Sequence, residues 1–337
     1  MSVFIIAEVG INHNGDIKIA KKMIDEAKKA GADCVKFQTF KADEFVSDPS
    51  QMYTYKSQGK DVTESMLEMF QRYEFSNDEW EEIVCYCDEK EIVFSSTAQN
   101  HSDLDFLFSI CDMSFIKVGS DDLTNLALLK KYAKKQKPMI ISSGMAYAYE
   151  IEDAIKVIRS EGNDDITVLS CVSSYPTEAE EVNLKKIPII KDAFGVKVGF
   201  SDHTIGSSAA VGAVCFGATV IEKHFTLDND YPGPDHWFSI DAKALQSYVE
   251  DIRFIEKAIG SALLQPSQKE LEMRNIARRK IVASKALTKG MTIDENTFAF
   301  KRSEFAGLAP KDINFILNRT IKHDIKQNMP ITLEDLI

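Results

Sequence analysis

A chain of 337 residues, 44% apolar and 27% charged, is too long for one ordinary core and suits a large globular domain with a small one attached. The net charge of −12 lies ahead of residue 281 and argues against nucleic acid as a partner, and the lack of an 18-residue apolar stretch argues against a membrane span. Met1–Glu8 lacks a basic segment and meets an acid at once, which predicts a buried strand in a cytoplasmic protein and no signal peptide; six cysteines without a C-x2-C pair are expected as buried free thiols.

Short apolar runs alternate with amphipathic stretches along the chain. The runs are Val3–Ala7, Cys34–Phe37, Ile92–Ser95, Phe115–Val118, Met139–Ser142, Thr167–Cys171, Lys197–Phe200 and Thr219–Glu222. They are apolar on both faces, as parallel strands covered by helices should be. Between them, residues 17–30 place Ile17, Ala20, Ile24 and Ala27 on one face of a helix. Ser76 and Glu79 form a capping box ahead of a helix whose inner face is Trp80, Ile83, Val84 and Cys87. Asp241 caps a further helix carrying Leu245, Val249, Ile252 and Ile255, closed by Gly260.

Eight strand–helix units predict an α/β protein of the (β/α)8 TIM-barrel class. A doubly wound open sheet is the alternative, but no G-x-G-x-x-G follows the first strand. The connection from Thr39 to Ser76 is longer than the others and predicts a lid or a partner-contact insertion. Residues 1–262 form the predicted barrel, 263–280 a polar linker, and 281–337 a small domain of short strands and turns.

In a barrel enzyme, chemistry sits where strands end and loops begin. Here the strand ends carry Glu8, then Lys36 and Gln38, then Lys117 and Ser120, then Ser142, Tyr175, Ser201 with His203, and Glu222 with His224. Singly, each has a structural explanation: Glu8 pairs with Lys36, or a histidine bonds a neighbouring carboxylate. Together they put charges in a barrel mouth that stay unpaired without a ligand or metal. His203 and His224 follow successive strands and can reach one point. Two neutral imidazoles with an oxygen from Asp235 or Glu222 suit Mn2+, Fe2+, Co2+ or Zn2+. Lys36 and Lys117, with Ser142 and Ser201, suit a dianionic phosphate and a carboxylate. The stiff turn from Tyr231 to His236 can present Asp235 or His236 at the mouth.

Five segments carry a resemblance. Glu8-Val9-Gly10-Ile11-Asn12-His13-Asn14-Gly15, Val35-Lys36-Phe37-Gln38-Thr39, Gly199-Phe200-Ser201-Asp202-His203-Thr204, Ile221-Glu222-Lys223-His224-Phe225-Thr226 and Gly233-Pro234-Asp235-His236 resemble the sialic-acid synthase family, and residues 281–337 resemble its antifreeze-like (SAF) domain. The resemblance implies condensation of phosphoenolpyruvate with an open-chain N-acyl mannosamine-type sugar and water. It implies that His203 and His224 hold a divalent metal, usually Mn2+, with Mg2+ or Co2+ in its place. It implies that Glu8 handles the attacking water. Lys36, Gln38, Lys117, Ser120, Ser142 and Ser201 would bind phosphoenolpyruvate. Tyr175 and Asp235 would lie near the sugar, and Arg302 would reach the N-acyl group in a partner's barrel, which needs a domain-swapped homodimer.

The sequence departs from the family pattern at Ser96–Asn100, Ser120–Asp122 and Arg302–Glu304, all on the expected sugar side. Synthases making legionaminate or spore-coat polysaccharide precursors fit the same motifs. Two other readings are a metal-dependent aldolase using free pyruvate, which releases no phosphate, and a non-catalytic sugar-binding barrel, which has no need of Glu8, Lys36, His203 and His224 together.

Overall fold

The computed structural model describes residues 2–337. The strands of its first unit are β1 (Phe4–Gly10), β2 (Cys34–Thr39), β3 (Met52–Ser57), β4 (Lys60–Ser65), β5 (Val93–Ala98), β6 (Ile116–Val118), β7 (Met139–Ser142), β8 (Ile166–Cys171), β9 (Lys197–Asp202) and β10 (Val220–His224). All except β3 and β4 are parallel and close into a barrel in the order β1-β2-β5-β6-β7-β8-β9-β10, with β10 returning to β1. The expected (β/α)8 architecture is therefore present. Several strands run two or three residues further than the apolar runs, so His224 is the last residue of β10 and not part of the loop after it.

Side-chain alternation explains how such apolar strands carry a polar mouth. Inward residues at the N-terminal ends form an apolar plug of Ile6, Cys34, Phe115, Ile140, Leu169 and Val220, with Phe4 and Val93 against it. Moving along the same inward rows brings Glu8, Lys36, Ser95, Lys117, Ser142, Cys171, Ser201 and Glu222, all buried and nearly all polar. Outward residues such as Ile5, Val35, Ile141, Val168 and Ile221 pack under the helices in one continuous core.

The helices form where the caps predict. Ile17–Ala30 starts at Asp16, whose side chain accepts from the Lys18 amide, and ends at Gly31 in the left-handed region. Ser76 and Glu79 complete the capping box of Asn77–Glu89, and Asp241 caps Ala242–Ile259. The long Thr39–Ser76 connection folds as a short helix (Ala42–Phe45), the β3–β4 hairpin and a second helix (Met66–Tyr73). The hairpin tip bonds the loop after β10: Gly233 N donates to Ser57 Oγ (3.1 Å) and Gln58 Nε2 to Asp230 O (2.9 Å).

Cα packing divides the chain after Gly260. The second unit, Ser261–Ile337, differs from the sequence expectation at its start. Residues read as linker contain the helix Gln268–Ala277, opened by a Ser267–Glu270 capping box. It buries none of its residues, and Leu271, Met273 and Ile276 are spread over its exposed surface instead of forming the regular stripe that a sequence reading looks for. Beyond it, β11 (Arg279–Ala283) pairs antiparallel with β12 (Phe298–Arg302) over a small core of Ile281, Leu287, Ile293, Ile316, Ile321 and Ile331. All six cysteines are free, as expected; Cys34, Cys87 and Cys171 are buried, but Cys85 and Cys215 are exposed. Among the described residues no helix is long and apolar enough to cross a membrane.

Candidate active site

The C-terminal ends of the barrel strands surround a cavity of about 810 Å3, within the size range of small-molecule sites. Every predicted site residue of the barrel lines it: Glu8, Lys36, Gln38, Lys117, Ser120, Ser142, Tyr175, Ser201, His203, His224 and Asp235. Arg302 belongs to the second unit, exposed at the end of β12 and directly opposite Arg279 in the ladder.

At the floor, two ammoniums and two carboxylates alternate. Lys36 Nζ lies 2.6 Å from Glu8 Oε2 and 3.8 Å from Glu222 Oε2, and Lys117 Nζ lies 3.5 Å from Glu222 Oε1. Lys36 also donates to Thr97 Oγ1 (2.8 Å), Lys117 to Ser142 Oγ (2.9 Å), Ser201 to Glu222 Oε1 (3.1 Å) and Gln38 Nε2 to Glu8 Oε1 (3.3 Å). The simple Glu8–Lys36 pairing is therefore real, but it is one link of a larger buried cluster.

Burial pushes the Glu8 carboxyl up to about 7, against the pull of Lys36. Burial also acts upward on Glu222, yet Lys117 and Lys36 outweigh it and hold that carboxyl down to about 2. Burial works against the charge on Lys36, but Glu8 and Glu222 together raise it. The result is a neutral, tightly paired cluster in which Glu8 is the group poised to exchange a proton near neutral pH.

Gly10 makes this arrangement possible. The ladder between β1 and β2 shifts register between Glu8 and Gly10, and Gly10 adopts φ +55°. A Cβ there would stand 3.3 Å from Glu8 Oε1 and 3.4 Å from Gln38 Nε2.

Above the floor, the His203 and His224 rings lie with centroids 5.4 Å apart. His203 Nδ1 sits 2.7 Å from the Val172 carbonyl, a contact only an N–H can make, which leaves Nε2 with its lone pair. Burial lowers the pKa of both rings, for His224 well below the ordinary value, with His203 adding to the effect. Both are thus neutral imidazoles near pH 7, the form that binds metals. His224 Nδ1 is buried without a hydrogen-bond partner, and the nearest carboxylate oxygen, Asp235 Oδ2, is 4.0 Å away. The donors fit a divalent cation held by two imidazoles. Among the described residues no group of three His, Cys, Asp or Glu side chains stands close enough to hold one, so the expected third ligand from Asp235 is not in place, and water or substrate would complete the shell. Glu222, the other expected oxygen donor, is turned toward the lysines.

The rim is aromatic and polar. The Tyr175 ring packs at a tilt against His203 (centroids 4.2 Å) and Phe238 (4.8 Å). Burial raises its hydroxyl, and raises the Asp235 carboxyl to about 6. Ser120 Oγ accepts from the Gly144 amide at 3.0 Å. Sequence reasoning missed Tyr53, Tyr55 and Lys56 of the hairpin, and Trp237 and Phe238, all of which line the cavity. Gln99 and Asp121, at positions where the chain departs from the family pattern, line it too.

The turn carrying Asp235 is clamped to the end of β1. Asn12 Nδ2 donates to Phe225 O (2.9 Å) and Ser239 Oγ (3.0 Å), and His236 bonds Asn14 Oδ1 (3.1 Å) and Thr226 Oγ1 (2.7 Å). Burial lowers His236 to about 4 and His13, stacked on Phe75, to about 3. Below the ordinary histidine pKa of about 6.5, the unfolded chain binds protons that these rings refuse, so their contribution to stability is lost as pH falls. The melting advantage of the wild type over His236→Gln should shrink between pH 6.5 and 4, by at most about 1.4 kcal/mol per pH unit. The comparison cancels Glu8, Asp103 and Asp235, whose raised pKa values act with the opposite sign. A pH-independent difference would show that His236 titrates normally.

Comparison with known proteins adds independent findings. Residues 23–263 match the NeuB family and residues 278–337 the SAF domain. The chain is 41% identical to the N,N'-diacetyllegionaminic acid synthase of Campylobacter jejuni over 300 residues, 88% of this chain and 90% of the relative. It is 36% identical to the enzyme of the same name from Legionella pneumophila over 340 residues, 100% of this chain and 95% of the relative. The solved structure of N-acetylneuraminic acid (sialic acid) synthetase from Leptospira borgpetersenii aligns with a TM-score of 0.71 at 33% identity, covering 83% of this chain and 94% of that one.

Proposed function

The chain belongs to the NeuB family of nonulosonic acid synthases, and from that premise we propose that it condenses phosphoenolpyruvate with an N-acylated hexose of the N-acetylmannosamine type and water, giving a nine-carbon 2-keto acid and phosphate. One observation carries the reading: the buried Glu8–Lys36–Glu222–Lys117 cluster and the neutral pair His203 and His224 share a single cavity. A cation pair suited to an anionic substrate thus lies beside two imidazoles suited to an electrophilic metal.

Lys36 and Lys117, with Gln38, Ser120, Ser142 and Ser201, bind the carboxylate and phosphate of phosphoenolpyruvate. His203 and His224 would hold the metal, most suitably Mn2+ with Mg2+ or Co2+ as substitutes; when bound it polarises the acceptor aldehyde as a Lewis acid. C3 of phosphoenolpyruvate forms the new bond to that aldehyde carbon as its C2–C3 double bond opens and leaves C2 electron-deficient; over the whole reaction the two protons of the added water end on the aldehyde oxygen, which becomes a hydroxyl, and on phosphate. Glu8 orients the water that adds to C2 and takes its proton, and phosphate leaves as the C2–O bond breaks. Tyr175 and Asp235 flank the sugar.

Arg302 reaches the acceptor's N-acyl group from a second copy in a domain-swapped, cytoplasmic homodimer. Its exposure directly opposite the like charge of Arg279 supports a role outside its own unit. Arg302→Ala should raise the acceptor KM about tenfold, the loss expected for a charged hydrogen bond, and leave the phosphoenolpyruvate KM unchanged. Equal increases in both would remove Arg302 from acceptor recognition.

An acceptor of the diacetyllegionaminate type is a second reading, favoured by the 41% identity with the Campylobacter relative. Phosphate release from phosphoenolpyruvate and Mn2+ with a panel of N-acylated hexoses, N-acetylmannosamine first, tests both. Acceptor-dependent release is expected, and the sugar with the highest kcat/KM identifies the branch. Absence of release with every acceptor would count against the synthase reading.

A further inference from the structure

Alternation along β9 and β10 gives each lumen-facing group a neighbour on the outer side of the barrel wall. Glu222 and His224 face the cavity, so Lys223 between them faces outward; Ser201 faces the cavity, and Asp202 outward. Lys223 and Asp202 are partners in the ladder. Behind the wall they meet the helix Ala242–Ile259, which supplies Tyr248.

The contacts there are complete. Asp202 Oδ2 accepts from Tyr248 OH (2.8 Å) and lies 3.1 Å from Lys223 Nζ. Asp202 Oδ1 accepts from the Thr204 amide (2.9 Å) and hydroxyl (2.7 Å). Lys223 Nζ donates to the Thr204 carbonyl (2.6 Å) and sits over the Tyr248 ring (5.2 Å). Asp202, Lys223 and Tyr248 are each less than 5% exposed.

We propose that Asp202, Lys223 and Tyr248 are positioning residues that set the separation and direction of the His203 and His224 imidazoles from behind the barrel wall. His203 lies between Asp202 and Thr204, and the cluster fixes both its neighbours. His224 directly follows Lys223. The ion pair therefore ties the peptide of one imidazole to that of the other, across two adjacent strands. Two packed apolar side chains could match such a pair in stability, but they would leave the Thr204 amide and carbonyl without directional partners. The cluster is suited to fixing geometry, as outer-shell partners of metal ligands do.

The inference rests on the reading of His203 and His224 as metal ligands, and its test separates the two. Mn2+ binding to the substrate-free enzyme is measured by titration calorimetry for wild type, Tyr248→Phe and Tyr132→Phe. Tyr132 is an equally buried tyrosine whose hydroxyl bonds the Ala98 and Asn100 carbonyls, so its variant controls for lost stability alone. Tyr248→Phe should raise the Mn2+ Kd about tenfold. Tyr132→Phe should lower the melting midpoint and leave Kd unchanged. Asp202→Asn, which keeps the shape but removes the charge facing Lys223, should act like Tyr248→Phe. Wild-type affinity in Tyr248→Phe, or weakening in all variants in proportion to their melting loss, overturns the positioning role alone. A wild type that binds no Mn2+ overturns the ligand reading, and the inference with it.

Discussion

His224→Ala should abolish phosphate release, lowering kcat by about three orders of magnitude or more, and should weaken Mn2+ binding in calorimetry. The expectation follows from geometry. His224 Nδ1 is a buried atom without a partner, and among the described residues its ring and that of His203 are the imidazoles lining the cavity. Removing it would leave His203 as the one imidazole of the proposed pair, and the nearest carboxylate, Asp235, loses the ring it faces at 4.0 Å. Truncating the ring leaves the Glu8–Lys36 contact untouched, so phosphoenolpyruvate binding should persist. Unchanged activity of the wild type in rigorously metal-free buffer would refute the metal assignment.

Glu8→Gln should reduce kcat by about 10²–10⁴-fold, the range for loss of a positioned acid–base group, and leave Mn2+ affinity unchanged. Gln keeps the shape and a hydrogen-bonding oxygen toward Lys36, so packing in the floor is preserved. Two roles make different forecasts here. If Glu8 only neutralised Lys36, the variant would bind the anionic substrate at least as well and turn it over at a similar rate. If Glu8 takes the proton of the attacking water, kcat falls while the phosphoenolpyruvate KM stays near its wild-type value. Steady-state kinetics with both substrates varied distinguishes them.

Much of this site is legible in sequence because barrel strands have a strict two-residue alternation. Once Glu8, Lys36 and His224 sit at strand ends, their common direction follows from the pleat, and Glu222, two residues before His224, must face the same way. What the alternation does not give is which partner a side chain selects. Glu222 reads equally well as a metal ligand or as a lysine partner, and only the distances to Lys117 and Lys36 decide. The β3–β4 hairpin escapes notice for a different reason. Its turn, Gln58-Gly59 with φ +51° and +73°, has glutamine at a position where asparagine or aspartate is the usual signal. The helix Gln268–Ala277 leaves its apolar residues Leu271, Met273 and Ile276 exposed instead of packing them on one buried face, and its capping box is the local signal that marks it. Trp237 and Phe238 reach the cavity because a hydrogen-bonded turn, held by Asn12, Asn14 and Ser57, carries them there. Such long-range clamps have no local sequence signature.

The most direct test of the central claim follows the bridging oxygen of phosphoenolpyruvate. The substrate is labelled with 18O between C2 and phosphorus, and the enzyme is run with Mn2+ and the preferred acceptor. The account predicts that phosphate and the nine-carbon 2-keto acid form in equal amounts, that the label leaves entirely with phosphate, and that the new C2 oxygen comes from water. Label retained in the keto acid, or acceptor consumed without phosphate release, would contradict it.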